Sequence, residues 1–139
     1  MDHISIDRVG PGQAYLLENV VDGVFHDPID QGLLAAYLAS PSAMLVVARD
    51  EGRLVGQVKT AIHLHPDKPA DLYVDELVVA RSHQRRGIAR RLLREVEKWA
   101  RERGCADAWL ATATDNDAAR SLYEGFAGSK NCLLYFWDL

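Results

Sequence analysis

The sequence has few of the features that assign a chain to a secreted, membrane or disulfide-rich class. It contains two cysteines in 139 residues, Cys105 and Cys132, too few and too scattered for a disulfide framework or a zinc site. No apolar run approaches the about 20 residues that a membrane-spanning helix needs, and the first residues, Met-Asp-His-Ile, lack the basic and apolar regions of a signal peptide. We therefore expect free thiols, no membrane partner and a location in the reducing cytoplasm.

The chain also lacks a general excess of positive charge. It has 16 lysine and arginine residues against 20 aspartate and glutamate residues, a net charge of −4. Binding to duplex nucleic acid normally requires a broad basic surface, so we expect no nucleic-acid partner. The remaining composition, 48% hydrophobic and 26% charged, is that of an ordinary globular protein, and the length fits one domain spanning residues 1–139.

Hydrophobic periodicity predicts an α/β domain with a mixed sheet, in the order β-α-α-β-β-β-α-β-α-β. The predicted strands are residues 4–9, 44–49, 53–63, 72–79, 107–112 and 130–138, and the predicted helices are residues 13–25, 30–38, 88–103 and 115–124. Gly56, inside a predicted strand, indicates a bulge or the close approach of another part of the molecule. His63 and His65 share one face of that strand but have no obvious third ligand, so we expect no metal site.

The most informative stretch runs from residue 72 to residue 104 and has the pattern of a strand, a basic turn and a helix. After Gly87 the apolar residues recur with a helical period, which predicts one buried stripe. The stripe consists of Ile88, Leu92, Leu93, Val96, Trp99 and Ala100. Gly104 is expected to end this helix.

Positive charge is concentrated in the same stretch. Residues 81–103 contain eight arginines and one lysine against three glutamates, a balance of +6 in a chain whose total is −4. Arginines in the first turns of a helix are unfavourable to its dipole. The unpaired N–H groups of those turns, with Gly87 allowing a close turn, suit a bound polyphosphate. The alternative is a solvated basic helix face without a ligand.

Three short motifs resemble those of the GNAT superfamily of N-acetyltransferases. The run Gln84-Arg85-Arg86-Gly87-Ile88-Ala89 matches the Gln/Arg-x-x-Gly-x-Gly/Ala signature of that family, and Glu76-Leu77-Val78-Val79 matches the strand that precedes it. The run from Asn116 to Tyr123 resembles the second family motif, Asn-x-x-Ala-x-x-Leu-Tyr. That motif usually continues Tyr-Glu-x-x-Gly-Phe, whereas here Glu124 is followed directly by Gly125, so two residues are missing and the helix end is shortened.

The resemblance implies an enzyme that uses acetyl-CoA as a cosubstrate and needs no metal. In that family the pyrophosphate lies on backbone N–H groups of the signature loop, here residues 84–89. The pantetheine arm pairs with the backbone of the central strand, in a slot where two neighbouring strands splay apart. The implied cosubstrate contacts are Leu77, Val78, Val79, Gln84, Arg85, Arg86, Gly87, Ile88, Ala89, Asn116 and Ala119. A role as helix N-cap would explain Asn116 without any ligand.

Acetyl transfer to an amine requires an acceptor for the amine proton and a donor for the departing thiolate. By resemblance Tyr123 is the donor, and an ordinary tyrosine pKa of about 10 suits that role. The alternative is a packing tyrosine. Asp75 and Glu76 are adjacent in an apolar strand, so we expect their side chains on opposite faces. One of them, preferably Glu76, would face the substrate as general base or as anchor for a cationic amine. The alternative is an ion pair with a lysine or arginine across the sheet.

The acceptor amine is less closely defined by the sequence. Carboxylates in the first 40 residues and in the loop at residues 65–71 favour a cationic acceptor by charge complementarity. The stretch from Tyr73 to Ala89 resembles the aminoglycoside 3-N-acetyltransferases, which favours an aminoglycoside or a polyamine. A peptide or protein amine is an alternative.

Two further hypotheses concern catalysis and assembly. A non-catalytic domain that binds or senses acetyl-CoA would keep residues 84–89 but would need neither the carboxylates nor Tyr123. The apolar run from Leu133 to Trp137 predicts either core or an edge strand. An edge strand of this kind invites pairing with another chain, so we expect a homodimer.

Overall fold

Five strands form one mixed sheet and lie in it in the same order as in the chain. The strands are β1 (Ile4–Val9), β2 (Ala43–Asp50), β3 (Arg53–His63), β4 (Asp71–Val79) and β5 (Asp107–Trp109). The pairs β1–β2, β2–β3 and β3–β4 are antiparallel, and β5 runs parallel to β4. This computed structural model describes residues 3–139, and within that range no helix is both long and apolar enough to cross a membrane.

Three helices accompany the sheet, and together the elements confirm the predicted α/β class. They are α1 (Gln31–Ala39), α2 (Ile88–Glu102) and α3 (Asp117–Tyr123), with short 3₁₀ turns at Ala14–Leu17 and Arg81–His83. Asp30 caps α1 by accepting a hydrogen bond from the N–H of Leu33 at 2.9 Å. The six predicted stripe residues of α2 are all buried, and Gly104 has a φ of +80° just after the helix.

Helix α2 packs closely over β3 at Gly56. A Cβ atom at this position would lie 3.4 Å from Leu92 Cδ1 and 3.3 Å from the carbonyl oxygen of Val78. The β2–β3 register also shifts between Ala48 and Arg49, directly opposite Gly56. The predicted bulge and the predicted close approach are therefore both present.

A second bulge, in β4, decides where the two adjacent carboxylates point. Lys59 pairs with Glu76 and Thr60 pairs with Val74, so Asp75 is an extra residue in the ladder. Glu76 contacts Gln57, Asp75 contacts Lys59, and residues 57 and 59 of β3 share one face. The prediction that Asp75 and Glu76 lie on opposite faces is wrong, because a bulge sets two residues against one partner.

The predicted helix at residues 13–25 is also wrong beyond its first turn. After the 3₁₀ turn, Asn19 and Gly23 have φ angles of +57° and +88°, which a helix does not allow. The carbonyl of Asn19 accepts from the N–H of Leu54, and the N–H of Val21 donates to the carbonyl of Leu54, both at 3.0 Å. The backbone of this segment thus bonds to the start of β3 instead of to itself, while Val24 is still buried.

The C-terminal part of the sheet is shorter than predicted. Strand β5 ends at Trp109 instead of residue 112, and residues 130–138 do not form the predicted last strand. A strand requires a neighbour that satisfies its backbone groups, and no described strand lies beside this segment. Its large side chains are exposed, from 72% for Trp137 to 85% for Leu134 and Phe136.

Candidate active site

The loop between β4 and α2 presents backbone donors to solvent. Gly87, the N-cap of α2, has a φ of +78°, and no side chain caps the first turn. Arg85 also has a positive φ, of +64°, a conformation that is uncommon outside glycine and is often found at functional sites. Gln84 Nε2 donates to the carbonyl oxygen of Val79 at 3.0 Å, which ties the loop to the end of β4. The first N–H groups of α2 are thus available to an anion.

The arginines near this loop have different surroundings. Arg85 and Arg86 are exposed beside the turn. Arg90 lies over the ring of Phe126, 5.8 Å from its centroid, and Arg91 Nη2 donates to the carbonyl of Ile4 at 3.1 Å. Arg85 and Arg86 are therefore accessible to a phosphate group, whereas Arg91 links α2 to the first strand.

The outer edge of β4 is open along most of its length. The pairing with β5 covers Asp71 to Tyr73, opposite Asp107 to Trp109. Among residues 3–139 no strand pairs with this edge from Val74 onward, where Leu77, Val78 and Val79 lie. Such an opening is the geometry that the predicted pantetheine slot requires, and the contacts themselves stay a prediction.

The two carboxylates of β4 have different partners. Glu76 Oε1 accepts from Gln57 Nε2 at 2.6 Å, and the fully buried Gln57 also donates to the carbonyl of Val24 at 3.2 Å. Asp75 lies 3.6 Å from the ammonium of Lys59, with both side chains partly exposed. The alternative of a cross-sheet ion pair therefore fits Asp75. Glu76 is held instead by the neutral amide of Gln57.

An aromatic cluster lies on the same face of the sheet as these carboxylates. The rings of Tyr73 and Trp109 are 4.5 Å apart between centroids, and His63 stacks on Tyr73 at 5.6 Å. Tyr73 pairs with residue 61, which shares a face with Lys59. We call the set Tyr73, Asp75, Glu76 and Trp109 the acidic–aromatic face. Its rings offer flat apolar surface beside negative charge.

Asp71 joins three elements next to this face. Its Oδ2 lies 2.9 Å from His65 Nε2 and its Oδ1 lies 3.4 Å from both His63 Nδ1 and Trp109 Nε1. The hydrogen bond with His65 is the main cause that lowers the pKa of the Asp71 carboxyl. In the part of the chain that the structure describes, no group of three His, Cys, Asp or Glu residues has the geometry of a metal site.

The second motif lies at the start of α3 and along it. Asn116 Oδ1 accepts from the N–H of Ala119 at 3.1 Å, so its N-cap role is realised. Tyr123 is partly buried against Phe126, with ring centroids 6.1 Å apart, and burial raises the pKa of its phenol. No hydrogen bond among the described residues joins Tyr123 to Asp75 or Glu76. The signature residue Ile88 is 2% exposed, so it offers a ligand its backbone only.

Comparison with known proteins agrees with the motifs. The model of the Acetyltransferase (GNAT) family matches residues 14–128. The chain belongs to this family. It is 39% identical over 97 residues to the N-alpha-acetyltransferase RimI of Mycobacterium tuberculosis, which covers 70% of this chain and 59% of that protein. It is 31% identical over 105 residues to N-acetyltransferase 8 of Homo sapiens, which covers 73% of this chain and 45% of that protein. The chain thus spans about half of these curated GNAT relatives.

Solved structures show the same GNAT fold. An aminoglycoside acetyltransferase, HMB0005, from an uncultured soil metagenomic sample has a TM-score of 0.83 at 19% identity, with 100% of this chain and 99% of that chain covered. A ribosomal-protein-alanine N-acetyltransferase from Brucella melitensis biovar Abortus 2308 has a TM-score of 0.75 at 23% identity, with 98% and 99% covered. At these identities the likeness concerns the fold alone.

Several polar contacts around this GNAT site were not predicted. Gln57 was missed, although a glutamine between Val55 and Val58 in an apolar strand is itself a sign of a buried polar contact. Tyr73 and Trp109 were read only as strand residues, because their contact joins parts of the chain 36 positions apart. The bond between His83 and Asp50 was missed for the same reason.

Proposed function

We propose that the chain is an acetyl-CoA-dependent N-acetyltransferase that transfers the acetyl group directly to a primary amine. The observation that supports this most strongly is that one strand of this GNAT-family chain, β4, carries a carboxylate and leads into the anion-accepting loop. The anion-accepting loop at residues 84–89 follows the end of β4, and the half-buried carboxylate of Glu76 lies on the same strand beside an open edge. A domain that only binds acetyl-CoA has no need of that carboxylate.

The chemistry assigns a role to each candidate residue. Glu76 accepts a proton from the amine, directly or through water, and the amine nitrogen then attacks the thioester carbonyl. The new C–N bond forms as the C–S bond breaks, and the thiolate takes its proton from Tyr123. The phenol of Tyr123 is protonated at neutral pH even with an ordinary tyrosine pKa of about 10, and burial raises its pKa further. Asp75, paired with Lys59, acts less directly, as a second negative charge near the acceptor.

For the acceptor we propose a small cationic molecule such as an aminoglycoside or a polyamine. The acidic–aromatic face supports this class, since carboxylates attract ammonium groups and exposed rings stack on sugar or alkyl surfaces. Trp109 is 48% exposed there and Asp75 has a similar exposure. The identity with RimI of Mycobacterium tuberculosis favours a second acceptor class, the α-amino group of a peptide or protein.

We also propose that the chain forms a homodimer in the cytoplasm. Large side chains from Leu133 to Trp137 are 72–85% exposed, and pairing of this segment with a second copy removes both copies' apolar surface from water at once. Sedimentation at several concentrations measures the assembly, and a monomer at every concentration contradicts this proposal. The small number of cysteines supports the reducing location.

The test is release of free thiol from acetyl-CoA with a panel of aminoglycosides, polyamines and peptides. We expect turnover with one class, a loss of kcat of about 100-fold in Glu76→Gln and a smaller loss in Tyr123→Phe. Asp75→Asn is the matched control, because it removes an adjacent charge but should retain most of kcat. Binding of CoA without turnover on any amine favours the sensing function instead. Equal losses in Asp75→Asn and Glu76→Gln contradict the assignment of the base.

A further inference from the structure

One buried polar side chain lies directly beside the signature loop and has no part in the proposed chemistry. His83, the last residue of the 3₁₀ turn Arg81–His83, is 7% exposed. Its Nε2 lies 2.7 Å from Asp50 Oδ2, and its Nδ1 lies 2.8 Å from Ser82 Oγ. Both ring nitrogens are therefore in hydrogen bonds, which fixes the orientation of the imidazole.

Asp50 belongs to the central sheet. It is the last residue of β2 and pairs with Ile4 of β1 on one side and with Arg53 of β3 on the other. The hydrogen bond from His83 is the main cause that lowers the pKa of the Asp50 carboxyl, so the group is ionised at neutral pH. A charged acceptor makes this hydrogen bond stronger than one between neutral groups.

A negative charge on Asp50 is unexpected beside a loop that is proposed to bind an anion. Asp50 also interacts electrostatically with Arg86, one of the arginines beside the loop. A fixed negative charge near a site for a pyrophosphate weakens binding of that anion through repulsion. The carboxylate is therefore unfavourable to the ligand as a charge, and a benefit has to come from the geometry that it imposes.

We propose that Asp50 and His83 are positioning residues that hold the signature loop in its anion-accepting shape. The contact anchors His83 to the end of β2, and the next residue, Gln84, bonds through its side-chain amide to the end of β4. The chain then has only Arg85 and Arg86 in which to turn before Gly87, the N-cap of α2. Fixed ends on so short a segment maintain the positive φ at Arg85 and Gly87, and with it the path of the loop into the first turn of α2.

This inference rests on the proposed use of acetyl-CoA, and it predicts the opposite sign from a purely electrostatic effect. If Asp50 acted only through its charge, its removal would tighten CoA binding. If it positions the loop, Asp50→Ala weakens CoA binding by about tenfold in spite of the lost repulsion, because one charge-assisted anchoring bond is gone. Asp50→Asn keeps an acceptor for the imidazole N–H and therefore retains an affinity within about threefold of the original.

The experiment is calorimetric titration of the purified chain with CoA, together with thermal unfolding of each variant. Glu102→Gln is the matched control, since it removes one carboxylate at the far end of α2, where Glu102 pairs with Arg8 at 2.9 Å. It should leave the CoA affinity unchanged. With turnover, Asp50→Ala should raise KM for acetyl-CoA and leave kcat and KM for the amine nearly unchanged.

The possible outcomes separate this inference from the proposed function. Failure of the unaltered chain to bind CoA contradicts the proposed function itself. Binding by the unaltered chain, with equal or tighter binding by Asp50→Ala, overturns the positioning role alone. If Asp50→Ala does not fold, Asp50→Ser tests the same contact with a polar side chain too short to reach His83, and the same tenfold loss is expected.

Discussion

The two halves of β4 serve surfaces of opposite charge that are built in different ways. Beyond its C-terminal end, consecutive residues of one loop form a basic, exposed turn in which backbone N–H groups are the main donors. Around its middle, side chains from β3, β4 and β5 form the acidic–aromatic face. Under the proposed function, one local segment binds the anionic part of the cosubstrate, whereas side chains from several strands meet the acceptor amine. The specificity for the cosubstrate and the specificity for the amine can therefore change separately.

The largest difference between the effect on CoA binding and the effect on amine binding is expected from Gly87→Val. A β-branched residue at a φ of +78° strains the backbone by about 1–2 kcal/mol, and the change should weaken CoA binding about tenfold while the KM for the amine stays constant. Calorimetric titration and steady-state kinetics measure the two quantities.

Gly104→Val is the matched control for this prediction. Gly104 has a φ of +80°, lies just after the same helix and, like Gly87, has no atom within 4 Å of an added Cβ. Both variants should unfold at a lower temperature, but Gly104→Val should bind CoA normally. Similar losses of CoA affinity in both would show that the effect comes from general instability of α2.

A smaller effect, on the amine instead of on CoA, is expected from Trp109→Ala. Loss of the ring removes a stacking surface and a site for a cation worth about 1 kcal/mol, so the KM for a cationic amine should rise about fivefold. The affinity for CoA should not change. Tyr15→Ala, which removes an exposed aromatic ring from the N-terminal 3₁₀ turn, is the control and should alter neither quantity. An unchanged KM in Trp109→Ala removes the ring from the acceptor site.

The smallest effect concerns the pH dependence of stability. The pKa of Asp71 is lowered in the folded state, chiefly by His65, relative to an unfolded value of about 3.9. The stabilisation from this carboxylate is complete above the unfolded pKa and disappears as the pH falls through the folded pKa. The difference in melting temperature between the unaltered chain and Asp71→Asn should therefore be constant near neutrality and shrink below about pH 4. Asp67→Asn, in the exposed loop that precedes β4, should show no such difference at any pH.

Local patterns correctly predicted the backbone features of α2 and of the start of α3. The buried stripe of α2, the positive φ at Gly87 and Gly104 and the N-cap at Asn116 all follow from residues within a few positions of one another. The motif residues could be located because their geometry depends on backbone turns and helix ends, which neighbouring residues determine.

Prediction failed where pairing between residues distant in the sequence decides the structure. The apolar spacing at residues 13–25 was correct for burial but not for a helix, because the backbone at Asn19 and Val21 bonds to Leu54. Residues 130–138 have the composition of a strand without a neighbouring strand to pair with. The common face of Asp75 and Glu76 depends on a ladder irregularity that alternation within β4 does not reveal.

The bulge at Asp75 shifts the alternation of side chains along β4 by one residue. Before it, Leu72 and Val74 pair with Ile62 and Thr60, and after it Leu77 and Val79 pair with Val58 and Gly56. These four partners share the face of β3 that meets α2 at Gly56, so the apolar positions of β4 change from even to odd numbers. The strand keeps one continuous apolar face while its reverse gains two neighbouring acids. Deletion of Asp75 alone would restore a regular ladder without inverting either half. A one-residue insertion could thus add an acidic side chain to this site without disturbing the core.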